Sequence, residues 1–173
     1  MTTILTVRKA AFAELYRSHL QAIVRYAARR TSGPNAVDVA AETFAVAWRR
    51  FDDIPSDAEL PWLYGVARRT LANQRRGELR RTALHDKLCT DWLVSSPGSP
   101  GSPDSDDLSP LREALDSMSD SDRDVLLLAG VEELKPSEIA MVLEVSPEVA
   151  RNRLSRARAR LRAALALVEG EDS

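Results

Sequence analysis

The chain has 173 residues, 24 Lys+Arg against 26 Asp+Glu, and 44% hydrophobic residues, enough for one ordinary domain or two small ones with packed cores. No apolar run approaches the ~18 residues of a membrane span, Met1-Thr2-Thr3-Ile4 is not a signal peptide, and the one cysteine, Cys89, excludes an internal disulfide framework. The expectation is a cytoplasmic protein with no direct membrane insertion.

The first predicted element lies in "FAELYRSHLQAIVRYAARR", which places Phe12, Leu15, Tyr16, Ile23 and Ala27 near one helix face and stops at Ser32-Gly33-Pro34. Asn35 then caps a second helix, with Asp38 three residues on. Its expected apolar face is Val37, Ala40, Ala41, Phe44, Trp48 and Phe51, with Asp38 and Glu42 on the far side. "DDIPSDAELP" is a loop, and a third long helix runs from Trp62 to about Leu84. In that helix Leu63, Val66 and Ala67 are core. Trp62 is open between core packing and an exposed role. The same helix carries Arg68, Arg69, Arg75, Arg76, Arg80 and Arg81 against a single Glu78. With Trp62 and Tyr64 at its start, it suits single-stranded DNA held by phosphate contacts and aromatic stacking.

"SSPGSPGSPDSDDLSP", Ser95 to Pro110, is too rich in Pro, Gly and Ser to hold a helix and reads as a flexible tether. The predicted organisation is a first domain over 1–85, a linker over 86–110, a second domain over 111–168 and an acidic tail over 169–173. Charge separates along the same lines. Residues 1–85 carry 14 Lys/Arg and 8 Asp/Glu, whereas residues 111–173 carry 9 and 13. Both domains read as all-α, with no β-alternation.

Beyond the tether, Ser109-Pro110 and Ser119 to Asp122 are helix starts. "SEIAMVLEV" gives a short helix with Ile139, Ala140 and Leu143 inward, followed by a turn at Glu144-Val145. Ser146-Pro147-Glu148 then starts a last helix, in which six arginines follow with no acidic residue before Leu165. Leu154, Ala157, Leu161, Leu165 and Val168 form its buried stripe. Asn152, Ser155 and Arg156 lie opposite. Arg151, Arg158 and Arg162 stand on one shoulder, Arg153 and Arg160 on the other. Short helix, turn and basic helix make a helix-turn-helix. Its second helix reads duplex DNA, with phosphates on the shoulders and base edges at the centre. Glu144 occupies a turn position where glycine is expected, and a left-handed backbone there costs roughly 1 kcal/mol.

"AVDVAAETFAVAWRRF" with "PWLYGVARRTLANQRR" resembles the second conserved region of bacterial sigma factors of the extracytoplasmic-function class. "LREALDSMSDSDRDVLLLAGVEELKPSEIAMVLEVSPEVARNRLSRARARL" is similar to their fourth region. The resemblance covers residues 10–84 and 111–165. It implies a subunit that binds core RNA polymerase, recognises promoter −35 and −10 elements and directs transcription initiation. It further implies core docking through Asp38, Glu42, Val46 and Arg49 on the clamp helices of the beta-prime subunit, and a contact with the beta flap. The −10 residues would be Trp62, Tyr64, Arg68, Arg69, Asn73 and Arg76. The −35 residues would be Arg151, Asn152, Arg153, Ser155, Arg156 and Arg158. An anti-sigma partner is also implied.

The chain departs from the family pattern at Arg69 and Asn73, where Asn and Asp are common, and at Lys135-Pro136, where a Ser-aromatic pair is frequent. Two other readings stand beside this one: an autonomous helix-turn-helix regulator, and a polymerase-binding decoy that does not initiate. No glycine-rich phosphate loop, zinc spacing or nucleophile constellation is present. His85 and Cys89 have the spacing of two ligands, too few for a zinc site. No catalysis, metal or cofactor is expected.

Overall fold

The computed structural model describes residues 2–31, 35–88 and 109–171. The chain divides into two compact units, Met1–Ser99 and Pro100–Ser173. Every regular element among the described residues is helical. Ser32 to Pro34, Cys89 and most of the proposed tether lie outside them.

In the first unit α1 (Thr2–Ala28), α2 (Asn35–Arg49) and α3 (Glu59–Leu88) pack against one another in all three pairings. A short 3-10 turn, Phe51–Asp53, follows α2. The core is built from Leu15, Ile23 and Ala27 of α1, Val39, Ala40 and Phe44 of α2, and Leu63, Val66 and Ala67 of α3. Phe12 stands edge-on to Trp48 at 5.1 Å and Phe51 at 6.0 Å between ring centroids, so the end of α2 and the turn after it are fixed on α1. Arg8 reinforces that corner by donating to the Trp48 carbonyl at 2.9 Å and pairing with Asp52 at 3.3 Å. At the other side of the loop, His19 Nε2 and Glu59 Oε2 lie 3.0 Å apart and tie α1 to the first residue of α3.

Several boundaries and faces differ from the sequence expectation. The first helix begins well before Phe12, and the third starts at Glu59 and continues to Leu88. Asn35 lies inside α2. The buried face of α2 is Ala36, Val39, Ala40, Thr43, Phe44 and Ala47, while Val37 is 62% exposed and Ala41 is exposed too. The reason is composition. Alanines on two sides of α2 contribute little area, so the apolar pattern fits two faces and only Phe44 discriminates them. Thr43, buried where a polar residue was not foreseen, satisfies its hydroxyl by donating to the Val39 carbonyl at 2.7 Å.

In the second unit α7 (Pro147–Glu171) packs against α4 (Ser109–Asp116), α5 (Asp120–Gly130) and α6 (Pro136–Leu143). Ser119 caps α5 by accepting from the Asp122 N–H at 3.2 Å, and Ser146 caps α7 by accepting from Val149 at 3.3 Å. Pro136 opens α6, and the Glu138 carboxylate accepts from the preceding Lys135 N–H at 2.7 Å. The core holds Ala114, Val125, Leu128, Leu134, Ile139, Ala140, Val142, Ala150, Leu154 and Ala157. Val142 takes the inward place expected of Leu143, which is half-buried.

Candidate nucleic-acid interface

The turn between α6 and α7 sets the geometry of the basic helix. Glu144 has φ 55° and ψ 45°, the left-handed conformation that the sequence demands of a non-glycine residue. The Val145 N–H returns to the Ala140 carbonyl at 3.0 Å, closing α6 before α7 starts. A second left-handed residue, Glu133 with φ 56°, closes the loop before α6. No local pattern in the sequence marks that one. Both ends of the short helix are therefore held by backbone conformations that cost about 1 kcal/mol each in a residue with a Cβ.

Ala150, Leu154 and Ala157 bury one side of α7 completely or nearly so. Opposite them Asn152, Ser155 and Arg156 are exposed, as are Arg151, Arg153 and Arg158 on the flanks. Pro136, Arg151, Ser155, Arg158 and Arg162 line one shallow recess beside the helix. The other shoulder differs, because Arg160 donates to Asp122 Oδ2 at 2.5 Å and so fastens α7 to α5. Asp122, 13% exposed, is held below the ordinary carboxylate range chiefly by that hydrogen bond, against the opposing effect of burial. Arg160 thus works within the fold, a role its sequence position did not reveal.

On α3 the predicted residues separate. Tyr64 is 2% exposed, with its ring 4.8 Å from that of Tyr26. It is a core residue, and the expectation that it stacks on a base is corrected: its chain neighbours Leu63, Gly65, Val66 and Ala67 are buried as well. Trp62 is half-buried at the start of the helix, with the Arg50 guanidinium 5.8 Å from its ring centroid. Arg69, Asn73 and Arg76 are exposed, and Arg68 is half-buried. Arg76 donates to Asn73 Oδ1 at 2.6 Å, and Arg75 reaches the Arg30 carbonyl at 3.4 Å. Arg30 in turn lies over the Tyr26 ring at 3.7 Å.

On α2, Asp38, Glu42 and Arg49 are exposed and Val46 half-buried. Beside the line of the two acids run Val37, Ala41 and Ala45, all exposed at i, i+4 and i+8. This apolar strip was missed, since the sequence assigned Val37 and Ala41 inward. Among the described residues no helix is long and apolar enough to cross a membrane, and no group of three His, Cys, Asp or Glu is placed to hold a metal ion.

Two family models match this two-unit chain: the sigma-70 region 2 model over residues 15–81 and the sigma-70 region 4 model over residues 108–161. The RNA polymerase sigma factor NccH of Alcaligenes xylosoxydans xylosoxydans is 28% identical over 162 residues, 90% of this chain and 87% of its own. The probable RNA polymerase sigma factor RfaY of Xanthomonas campestris pv. campestris is 30% identical over 130 residues, 72% of this chain but 32% of RfaY. Among solved structures, the sigma factor RpoE of Bartonella quintana, in complex with the anti-sigma factor NepR, matches with a TM-score of 0.66 at 24% identity. That match covers 90% of this chain and 97% of RpoE. CnrH in complex with the cytosolic domain of CnrY matches with a TM-score of 0.59 at 24% identity, over 92% and 90% of the two chains. At such identity the two structures establish the fold. The two matched regions in their order, with the likeness to NccH, place the chain in the sigma-70 family of RNA polymerase sigma factors, within the extracytoplasmic-function class. Its function is accordingly that of a sigma factor in transcription initiation.

Proposed function

We propose that the two units divide promoter recognition and polymerase docking between specific surfaces. The exposed face of α7 reads the −35 element as duplex: Asn152, Ser155 and Arg156 face base edges, and Arg151, Arg153 and Arg158 meet phosphates. The basic side of α3, with Trp62, Arg68, Arg69, Asn73 and Arg76, holds the −10 strand. Tyr64 acts from the core by supporting that helix. The strip Val37, Ala41 and Ala45, flanked by Asp38 and Glu42 and continued by Val46 and Arg49, docks on the beta-prime clamp helices. The second unit takes the beta flap.

The observation that carries this reading is the sidedness of α7. A fully buried line of small and aliphatic residues faces its unit, and an arginine-rich face opposite stands clear of it. The protein works in the cytoplasm beside the polymerase and performs no chemistry of its own. Its activity is held in check by an anti-sigma protein, a reading supported by the complexes described for RpoE and CnrH.

Run-off transcription with core RNA polymerase, with and without the protein, on a promoter library tests the assignment. Discrete transcripts that require the protein are expected. Tight sequence-specific duplex binding without any affinity for core polymerase would instead make it an autonomous regulator. Core binding without transcripts would make it a decoy.

A further inference from the structure

One face of α1 controls both ends of the segment that leads into α3. At about 100° per residue, Arg8, Phe12, Leu15 and His19 fall within about 60° of one another, and none of the four is exposed. Arg8 and Phe12 hold the near end, at Trp48, Phe51 and Asp52. About three helical turns beyond Arg8, His19 holds the far end through its 3.0 Å contact with Glu59. Ile54 to Ala58 span the gap between these anchors.

The His19–Glu59 contact is partly shielded, at 19% and 39% side-chain exposure, and among the described residues His19 alone engages the Glu59 carboxylate. An ionised carboxylate only accepts hydrogen bonds, so Nε2 of His19 carries the proton and donates. Glu59 is the first residue of α3, and Trp62 lies three residues on, on the same side of that helix. The Ala58 N–H donates to the Pro55 carbonyl and the Trp62 N–H to the Ala58 carbonyl, each at 3.1 Å, which carries the constraint from the loop into the first turn. From the other flank, Arg50 donates to Asp53 at 2.9 Å with its guanidinium beside the Trp62 ring. The buried Leu15, Ile23, Leu63 and Val66 pack the unit without this pair, and a partly exposed pair adds little to global stability. Its effect is local. We infer that His19 is a positioning residue of the −10 site: by holding Glu59 it fixes the entry to α3, so that Trp62 and the loop before it meet the strand already ordered. Without that tie the loop is ordered only as DNA binds, and the ordering weakens binding.

The inference rests on the proposed −10 role of α3, and its test separates the two. Core polymerase loaded with the wild-type chain selects promoters by run-off transcription. The non-template −10 strand of one selected promoter then serves as a labelled single-stranded probe, and the duplex upstream of it as a second probe. His19→Ala should weaken binding of the single-stranded probe roughly ten-fold, while affinity for core polymerase and for the upstream duplex stays within about two-fold of wild type. His19→Gln, whose amide Nε2 keeps a donor near the same place, should restore most of the loss. Glu59→Ala should match His19→Ala, and the double variant should lose no more than either alone, because each single change already breaks the one contact.

Wild-type affinity of His19→Ala for the single-stranded probe overturns the inference while the −10 role stands. A loss that extends equally to core polymerase and upstream duplex, or that His19→Gln does not reverse, marks a weakened fold and overturns it too. Failure of the wild-type chain to bind the single-stranded probe when loaded on core polymerase overturns both the −10 role and the inference.

Discussion

The chain holds two long arginine-rich helices, and they use their arginines differently. On α7 all six arginines of the basic run are exposed, and among the described residues Arg160 alone of them makes an ion pair to a neighbouring helix. On α3 the basic groups are entangled with the first unit: Arg75 reaches the Arg30 carbonyl in the turn after α1, Arg76 bonds Asn73, and Arg68 is half-buried. A duplex-reading helix must slide whole into a groove, so its face is clear. A strand-gripping helix needs only local phosphate and stacking contacts, so its arginines can serve the fold as well. Charge density along the sequence marks both helices equally and does not tell the two uses apart.

The comparison breaks most visibly at the aromatic pair opening α3. Tyr64→Ala should destabilise the first unit by about 3–5 kcal/mol, because it empties a closed aromatic site against Tyr26. Trp62→Ala, two residues earlier at a half-buried position, should cost far less stability and instead impair −10 opening. Thermal denaturation of both variants, paired with permanganate footprinting of the opened promoter, checks the division. Equal destabilisation by the two changes would mean that Trp62 is core as well.

The next largest effect separates reading from docking. Arg156→Ala should lower promoter-specific initiation roughly ten-fold, a loss of about 1–3 kcal/mol, with core polymerase affinity unchanged. Asp38 and Glu42 changed together to Ala should do the reverse, weakening core affinity measured by fluorescence anisotropy while duplex contacts persist. Loss of core binding in Arg156→Ala would contradict the separation of surfaces.

The helix-turn-helix was the most legible part of the molecule. A cap, a first-turn proline and aliphatic residues spaced for one stripe all specified α7, and only Glu144 disagreed locally. The structure adopts the strained conformation that the pattern demanded. The first unit was harder to read for a stated reason: α2 is rich in alanine, so the exposed Val37 and Ala41 resembled part of a core face. Tyr64 and Trp62 are two residues apart and similar in chemistry, and burial alone distinguishes them. Arg160 was indistinguishable from its neighbours until α5 brought Asp122 beside it. Long-range placement, which no local pattern encodes, accounts for each of these.

Replacing the strained residue should be felt on the same helix pair. Glu144→Gly removes the left-handed penalty of roughly 1–2 kcal/mol and adds unfolded-chain entropy of about 0.5–1 kcal/mol. A net gain of about 0.5–1 kcal/mol in the second unit is expected by denaturant titration. Glu144→Ala keeps a Cβ at the same φ and should give no such gain, so equal effects of the two would remove strain as the cause.

The smallest effect concerns the one shoulder arginine that the fold retains. The Arg160 hydrogen bond holds the Asp122 carboxyl below its ordinary value of 3.8, so the folded state binds this proton less readily than the unfolded chain does. The pair's contribution is therefore fully present above the unfolded carboxylate range and is lost as pH falls through the folded value. Half of the pair is solvent-facing, Arg160 being 63% exposed, which limits the contribution to about 1 kcal/mol or less. Arg160→Ala should lower the stability of the second unit by that amount at pH 7, and the difference from wild type should shrink as the pH is taken below 3.8. Urea titrations of both proteins at neutral and acidic pH measure it. A gap that persists unchanged in acid would show that Arg160 contributes through the packing of its aliphatic stem and not through the Asp122 charge.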